Sequence, residues 1–390
     1  MNQFIPLSIP NFEGNERKYV DEAIEQGWVS TGGAFITRLE EMLASYLHVE
    51  KVAACQSGTA ALHLSLVECG VLPGDMVIVP TVTFIAAVNP VKYQFAIPVF
   101  IDCDDSLCMD PLKLRKFCEQ ECELHEEKLI HKETGKHVKA IVIVHVFGNL
   151  ADMEQIMEIS QRYHIKVVED ATEALGSRYV TGKYAGKYAG TVGDFGAYSF
   201  NGNKIITTGG GGAVTARDAA VVDHMKFLST QAKADPHYYI HDEIGYNYRM
   251  TNLQAALGVA QLEKLDEFIL RKHRNYKLYQ ELLQDFALGE LMPFRQGTES
   301  NHWFYSLKLS VDQMHGELRD VITALEQSGI QTRAIWGLIH EQLPYRECIA
   351  YEMESAPYYS KCVLNIPCST QITEDEIRFV VKNINKIINE

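Results

Sequence analysis

Short apolar segments alternate with amphipathic ones along the first 216 residues of the chain. Most of the apolar segments are continuous, which is typical of strands buried on both faces of a sheet. Helical periodicity appears between several of them, over residues 59–69, 111–122 and 152–163. The predicted strands are residues 52–55, 76–80, 97–101, 140–146, 165–169, 195–200 and 213–216. This alternation predicts an α/β domain with a mostly parallel central sheet.

The pattern changes at Thr251, where the sequence TNLQ begins. Thr251 followed by Gln254 three residues later predicts a capping box at the start of a helix. Apolar residues then keep a helical spacing for many turns, which predicts a long linking helix. Strand-like segments over 301–309 and 330–335 and an amphipathic segment over 374–388 follow it. We therefore predict a large domain over residues 1–250, and a linking helix with a smaller C-terminal α/β domain over residues 251–390.

Charge and cysteine content narrow the classes of partner. The formal net charge of −15 lacks the basic footprint that nucleic acid requires, so no nucleic-acid partner is expected. The nine cysteines lack the tight spacing of zinc sites, which predicts reduced thiols and no metal site. No apolar run reaches the ~18 residues of a membrane span, and the first residues do not resemble a signal peptide. We expect a cytoplasmic protein with no membrane partner.

The first two predicted strands are followed by residues that suit a phosphate and a flat ring. Ser57, Gly58 and Thr59 form a turn that opens a helix, where free N–H groups and the positive helix end favour an anion. An ordinary N-cap is the alternative for this turn. Phe84 follows the second strand, where its ring could cover a planar ligand, although most phenylalanines belong to a core.

Two later strand ends carry a carboxylate, a hydroxyl and an amine. Asp170 directly follows the predicted strand IKVVE, where it could hold a positive group or cap a helix. Ser199 and Lys204 lie in SFNGNKIITTGGGG, a stretch with more glycines than a turn needs. A loop lysine is normally a solvated surface charge.

One cofactor requires a phosphate-binding turn, a side chain that covers a flat ring, a carboxylate and a lysine together. Pyridoxal phosphate (PLP) needs a lysine for its Schiff base and a carboxylate that keeps its pyridine nitrogen protonated. It also needs donors for its phosphate and an apolar or aromatic face for its ring. Ligands of parallel sheets bind at the carboxyl ends of strands, where these residues fall.

Five stretches of the chain carry a resemblance to a known family. QSGTAAL, VVEDATEALGS, GDFGAYSFNGNK, TTGGGGA and GYNYRMTNLQAALG resemble the DegT/DnrJ/StrS-type PLP-dependent sugar aminotransferases, and the resemblance extends over residues 30–373. It implies fold type I, the aspartate aminotransferase architecture, with a mostly parallel sheet in a large PLP-binding domain and a smaller C-terminal domain. It also implies a transfer of an amino group from L-glutamate to a nucleotide-linked keto sugar.

The resemblance assigns roles to individual residues. Lys204 would be the Schiff-base lysine and the catalytic base, and Asp170 would hold the pyridine nitrogen. The phosphate would be bound by Ser199, Gly58 and Thr59, and the ring would be covered by Phe84. Asn247 in GYNYRM would reach the phosphate of the neighbouring subunit, so that the active sites are shared within a homodimer.

Two residues depart from the commonest family pattern. Glu173 stands where His or Gln is usual, and Gly210 replaces a frequent Glu. Together with SFNGNKIITTGGGG and QAKADPHYYIHDEIGYNYR, these departures are similar to a subgroup that acts on UDP-linked 2-acetamido-4-keto-2,4,6-trideoxyhexoses in bacillosamine and legionaminic acid pathways. Glu173 would contact the substrate or the 3-hydroxyl of the cofactor, and a carboxylate on a helix surface is its alternative.

The substrate side of the site has five candidates. Arg249 would hold the glutamate carboxylate or a phosphate, with an ion pair at the dimer interface as its alternative. Trp303 and His340 would face the sugar from the small domain, against core roles for both. Thr31 and Gly32 are expected on a loop near the sugar.

Four other functions compete with this prediction. Dehydratases of the same family carry His in place of the Schiff-base lysine, so Lys204 argues against a dehydratase. A regulatory protein of this fold would have lost Lys204, Asp170 or Ser199, and this chain has all three. A PLP enzyme that aminates a 3-keto sugar remains open. A Rossmann oxidoreductase fails because the glycines do not fit its fingerprint.

Overall fold

The computed structural model describes residues 4–235, 237–311 and 316–389, so Pro236 of the stretch 231–249 lies outside the described residues. The helices in these ranges are α1 (Glu16–Glu25), α2 (Ala34–Leu47), α3 (Gly58–Glu68), α4 (Asn89–Tyr93), α5 (Pro111–Gln120), α6 (Met153–Tyr163), α7 (Ala219–Ser229), α8 (Asn252–Leu262), α9 (Leu265–Leu282), α10 (Leu318–Gln327), α11 (Ser355–Cys362) and α12 (Glu374–Asn389). The strands are β1 (Ala53–Cys55), β2 (Met76–Pro80), β3 (Ile97–Ile101), β4 (Cys122–His125), β5 (Lys128–His131), β6 (Val138–Val144), β7 (Lys166–Asp170), β8 (Arg178–Tyr179), β9 (Phe195–Ser199), β10 (Gly212–Ala216), β11 (Lys233–Asp235), β12 (Ile240–His241), β13 (Gly289–Leu291), β14 (Thr298–Glu299), β15 (Tyr305–Leu309), β16 (Arg333–Ala334), β17 (Ala350–Tyr351) and β18 (Val363–Ile366).

An eight-stranded sheet forms the centre of the molecule, in the order β1-β10-β9-β7-β6-β2-β3-β17. Strands β9, β7, β6, β2, β3 and β17 run parallel, and β10 pairs antiparallel with both β9 and β1. Strand β2 is buried along its whole length, and β6, β7 and β9 are buried along most of theirs. The predicted α/β class with a mostly parallel sheet is therefore confirmed.

The strand pairing brings together segments that are far apart in sequence. Strands β7 and β9 are adjacent and parallel, so Asp170 and Ser199 end at the same edge of the sheet. The antiparallel pairing of β10 with β9 places Gly212 opposite Ser199. A Cβ on Gly212 would lie 2.6 Å from the backbone nitrogen of Gly58, so glycine allows the start of α3 to approach this edge closely.

The capping box at Thr251 is present as predicted. The Thr251 hydroxyl accepts a hydrogen bond from the Gln254 amide, and the Gln254 side chain accepts one from the Thr251 amide. The predicted continuous helix is wrong, because it breaks between α8 and α9. At the break, the Glu263 carboxylate accepts hydrogen bonds from Asn15 and Arg38, beside α1 and within α2. This contact holds the end of α8 against the N-terminal helices.

A second, four-stranded antiparallel sheet has the order β13-β15-β18-β16 and lies in the C-terminal part of the chain. The predicted division at residue 250 stays a prediction, and pairings near both ends of the chain cross it. Strand β17 pairs with β3 at the edge of the large sheet, and Ile5 bridges to Ile330 beside the small one. Across the ranges that the structure describes, no helix is long and apolar enough to span a bilayer.

Candidate active site

A cavity of about 380 Å³ lies between the two sheets, within the size range of small-molecule sites. It is lined from the large sheet and its loops by Ser57, Gly58, Thr59, Leu62, Thr83, Phe84, Ala86, Ala87, Phe147, Asp170, Thr172, Glu173, Ser199, Asn201, Asn203, Lys204, Gly210 and Gly211. From the small sheet and its approach it is lined by Trp303, Phe304, Arg333, Ala334, Trp336 and Asn365.

The start of α3 forms one end of the cavity. Ser57 is the N-cap, and its hydroxyl accepts a hydrogen bond from the Ala60 amide. The first N–H groups of a helix have no partner within it, so those of Gly58 and Thr59 are available to a ligand. A Cβ on Gly58 would lie 2.9 Å from the Cβ of Ser199, so this hydroxyl side chain is beside the helix start. The arrangement can bind a phosphate.

Asp170 lies at the carboxyl end of β7 and is only 4% exposed. Its carboxylate accepts a hydrogen bond of 3.0 Å from the Thr172 amide. Burial raises the pKa of this carboxyl, against hydrogen bonds from Thr172 and the nearby charge of Lys204. The residues after Asp170 form turns, so the helix-cap alternative is wrong. A positively charged ligand group would stabilise the ionised carboxylate here.

Lys204 points into the cavity with 12% of its side chain exposed, so it is not a solvated surface lysine. Its Nζ lies 3.6 Å from Oε1 of Glu173 and 4.2 Å from the centroid of the Trp303 ring. The Trp303 indole N–H donates to the backbone oxygen of Asn203 at 2.7 Å. Trp303 therefore supports both the lysine amine and the loop that carries it.

Glu173 is 3% exposed and lies in a turn, so the helix-surface alternative is wrong. Its Oε2 accepts a hydrogen bond of 2.8 Å from the amide of Phe147. Burial raises the pKa of Glu173 to about 7, against the charge of Lys204 and the Phe147 amide. A carboxyl group with this pKa is able to exchange protons near neutral pH.

An aromatic wall of four residues, Phe147, Trp303, Phe304 and Trp336, closes the side of the cavity towards the small sheet. Phe147 and Trp336 stack with ring centroids 4.7 Å apart, and Trp303 and Phe304 stack at 4.0 Å. Phe147 has φ of 57°, the left-handed region that side chains rarely adopt, and its amide is held by Glu173. Only Trp303 of this wall was predictable from sequence, since the other three residues have the pattern of ordinary core residues.

The cavity is lined by further residues that were not predicted from the sequence. Arg333 and Asn365 lie on neighbouring strands of the small sheet and line the cavity. Asn203 precedes Lys204 and contacts Trp303. A polar residue in a two-residue strand gives no periodic signal, so the chain pattern offered no basis for finding Arg333.

Several predicted residues lie elsewhere in this chain. Thr31 and Gly32 precede α2, and the backbone oxygen of Thr31 accepts a hydrogen bond of 3.0 Å from Arg249. The ring of His340 lies 2.6 Å from the Thr81 hydroxyl, and burial lowers its pKa. None of these residues lines the cavity, nor does Asn247, which is exposed beside Arg249. Their roles stay predictions.

Phe84 and Gly210 do line the cavity. Phe84 is 55% exposed and begins a short 3-10 turn, so its ring is available to a ligand rather than part of the core. The backbone oxygen of Gly210 accepts a hydrogen bond of 2.9 Å from Gln254, which ties the glycine-rich loop to α8.

The cavity fits PLP. A helix start and a hydroxyl suit its phosphate, and a buried carboxylate with a raised pKa suits a protonated ring nitrogen. Lys204 supplies the amine that the cofactor requires, within the same cavity.

Comparison with known proteins agrees with this assignment. The model of the DegT/DnrJ/EryC1/StrS aminotransferase family matches residues 10–385. The chain is 36% identical over 386 residues to the GDP-perosamine synthase of Caulobacter vibrioides, covering 98% of each chain. It is 34% identical over 389 residues to the GDP-perosamine synthase of Escherichia coli O157:H7, covering 100% of each.

A solved aminotransferase structure from Brucella abortus matches the whole fold. Its TM-score is 0.86 at 25% identity, with 96% of each chain covered. The chain therefore belongs to the DegT/DnrJ/EryC1/StrS aminotransferase family and is a PLP-dependent sugar aminotransferase.

Proposed function

We propose that the enzyme moves the amino group of L-glutamate to the 4-keto position of a nucleotide-linked 6-deoxy sugar. The substrate we propose is a UDP-2-acetamido-4-keto-2,4,6-trideoxyhexose. The proposal is supported by the stretch SFNGNKIITTGGGG and by Glu173 and Gly210, which are similar to a subgroup of the family with such substrates. Both residues line the cavity, where they are close enough to influence a bound sugar.

We propose the following roles for the residues at the cofactor. The start of α3, with Gly58, Thr59 and Ser199, would bind the phosphate. The Asp170 carboxylate would accept a hydrogen bond from the protonated ring nitrogen. Phe84 covers the ring. When bound, PLP supplies an electron sink for the charge that develops at the reacting carbon.

Lys204 carries the proton transfers. Its Nζ takes the proton from Cα of L-glutamate, and it later delivers a proton to C4 of the sugar. The net reaction converts glutamate and the keto sugar to 2-oxoglutarate and the amino sugar. Holding the amine beside the reacting carbon gives it a high effective concentration. Glu173, at 3.6 Å from Lys204 Nζ, is positioned to exchange protons with this amine.

The observation that carries the proposal is the convergence of Lys204, Asp170 and the start of α3 on one cavity. The test is to incubate the enzyme with PLP, L-glutamate and the UDP-linked keto sugar, and to measure 2-oxoglutarate and amino sugar by mass spectrometry. We expect both products in equal amounts. The Lys204→Ala variant should lose at least about 100-fold in rate and form no borohydride-stable link to PLP. Turnover by that variant near the wild-type rate would contradict the assignment of the lysine.

A GDP-linked keto sugar is the second candidate substrate. It is favoured by the similarity to two GDP-perosamine synthases, at 36% and 34% identity. The two candidates are separated by kcat/KM for each nucleotide sugar under the same conditions. We expect the larger value for the UDP-linked sugar, and a larger value for the GDP-linked sugar would transfer the proposal to it. Absence of amino sugar from both would refute the substrate class.

We also propose a homodimer in which Asn247 enters the site of the neighbouring subunit. Asn247 is exposed in the single chain, and it follows a segment with large exposed apolar side chains. Tyr238 is 80% exposed, Tyr239 69% and Ile244 88%, and a partner surface would cover such a group.

We also propose a cytoplasmic location. The nine free thiols support it, because disulfides are rare in the cytoplasm.

Mixing two inactive variants tests the shared site. Lys204→Ala and Asn247→Ala each damage every site of their own dimers, whereas a mixed dimer regains one intact site. Unfolding and refolding an equal mixture should restore about a quarter of the wild-type activity if subunits pair at random. No regain of activity would contradict a shared site.

A further inference from the structure

The small sheet presents two neighbouring hydrogen-bond donors to the cavity. Arg333 on β16 lies directly opposite Asn365 on β18 in antiparallel pairing, so their side chains leave the same face of the sheet. Both line the cavity on the side away from β7 and β9. No residue in this pair belongs to the lysine, carboxylate and helix-start groups described above.

Among the described residues, none forms an ion pair with Arg333. Arg333 is exposed, and within the described ranges its guanidinium makes no hydrogen bond or ion pair. A guanidinium offers five N–H donors and no acceptor. Two of these N–H groups point in parallel, so a guanidinium is suited to binding two oxygens of a carboxylate or a phosphate at once.

Asn365 supplies an independent indication of a ligand. It is 2% exposed, and its Oδ1 accepts a hydrogen bond of 3.0 Å from the Ser306 hydroxyl. This bond fixes the orientation of the amide, and Asn365 lines the cavity. The amide NH₂ of Asn365 is therefore a donor that a ligand in the cavity is able to use.

The two side chains therefore form a site with donors only, which suits an oxyanion. The phosphate of PLP is not the expected occupant, because the start of α3 and Ser199 provide for it from the large sheet. We propose that Arg333 and Asn365 form a subsite for a second oxyanion, which belongs to a substrate. This inference rests on the proposed function, in which two substrates carry one: the donor has carboxylates, and the nucleotide sugar has a diphosphate.

The test uses the PLP-loaded enzyme and two substitutions in the subsite. Arg333→Met removes the charge but keeps a long side chain, and Asn365→Asp keeps the acceptor for Ser306 but replaces the donor with a negative charge. Arg319→Met is the matched control, since Arg319 is exposed on α10 and outside the cavity. Circular dichroism and the cofactor absorbance of each variant verify that it folds, and Arg333→Lys tests whether charge alone restores binding.

The diphosphate and the carboxylate are distinguished by two separate probes. Isothermal titration with UDP and GDP measures the dissociation constant for a diphosphate, without any sugar chemistry. Titration of the visible absorbance with L-glutamate alone gives the half-saturating concentration for the amino donor. We expect both variants to weaken one of these probes by about 10- to 100-fold, the usual range for hydrogen bonds to a charged group.

Each result decides the proposal. Weakened UDP or GDP binding with unchanged glutamate saturation assigns the subsite to the diphosphate, and the reverse assigns it to the carboxylate. Dissociation constants within about twofold of the wild type for all probes overturn the proposal, as does an equal loss in Arg319→Met. Because no probe requires a keto sugar, a failure of the substrate proposal leaves these measurements interpretable.

Discussion

The buried carboxyl of Glu173 should make the stability of the cofactor-free protein depend on pH. Burial raises its pKa from the usual 4.5 to about 7 in the folded chain, whereas the unfolded chain ionises near 4.5. A difference of this size corresponds to roughly 3 kcal/mol in favour of the protonated form. Between these two pH values the folded state binds more protons than the unfolded state. The free energy of unfolding therefore falls as pH rises from 4.5 to 7.

Glu173→Gln removes this dependence, because a glutamine does not ionise. We expect the difference in unfolding free energy, variant minus wild type, to be about 2 kcal/mol larger at pH 8 than at pH 5.5. The assay is urea unfolding followed by tryptophan fluorescence at both pH values. Glu281→Gln is the control, since Glu281 is exposed on α9 and its replacement should leave the difference between the two pH values unchanged.

Lys204 provides a second arm of the same test. Its charge lowers the pKa of Glu173, so Lys204→Met should raise that pKa further and enlarge the loss of stability towards alkaline pH. A Glu173→Gln difference that stays constant from pH 5.5 to pH 8 would refute the reasoning. It would mean that Glu173 is already ionised at pH 5.5 in the folded protein, with Lys204 as its effective counter-charge.

Two further substitutions test how the site is held together. Gly58→Ala would place a Cβ 2.9 Å from both Ser199 Cβ and Thr172 Cγ2, so we expect about 1–3 kcal/mol of strain and weaker PLP binding, measured by absorbance titration. Unchanged PLP affinity would place the phosphate elsewhere. Trp303→Phe keeps a ring beside the lysine but loses the hydrogen bond to Asn203, so we expect about 1 kcal/mol lower stability and less borohydride-trapped PLP. Equal trapping would show that the loop holds its position without this bond.

The residues of the large sheet were predictable from sequence because their signals are local. The apolar segments 76–80 and 97–101 match β2 and β3, and the capping box at Thr251 starts α8. Asp170 and Lys204 follow such segments directly, so the topology of a parallel sheet placed them at one edge before any contact was known.

The small-sheet side of the cavity depends on contacts between distant segments. Arg333 meets Asn365 only through the pairing of β16 with β18, and no periodicity reports the pairing of a strand that short. The left-handed conformation of Phe147 is stabilised by a hydrogen bond from its amide to Glu173, 26 residues away. The break after α8 likewise follows from the contacts of Glu263 with Asn15 and Arg38, which the helical spacing of the sequence does not report.

The most direct test of the central claim is the visible spectrum of the purified protein with PLP, recorded before and after addition of L-glutamate. We predict that the absorbance band of lysine-linked PLP disappears and that one equivalent of 2-oxoglutarate is released per active site. The band should be absent in Lys204→Ala. A spectrum that does not change with glutamate, or a cofactor band that persists in that variant, would contradict the account.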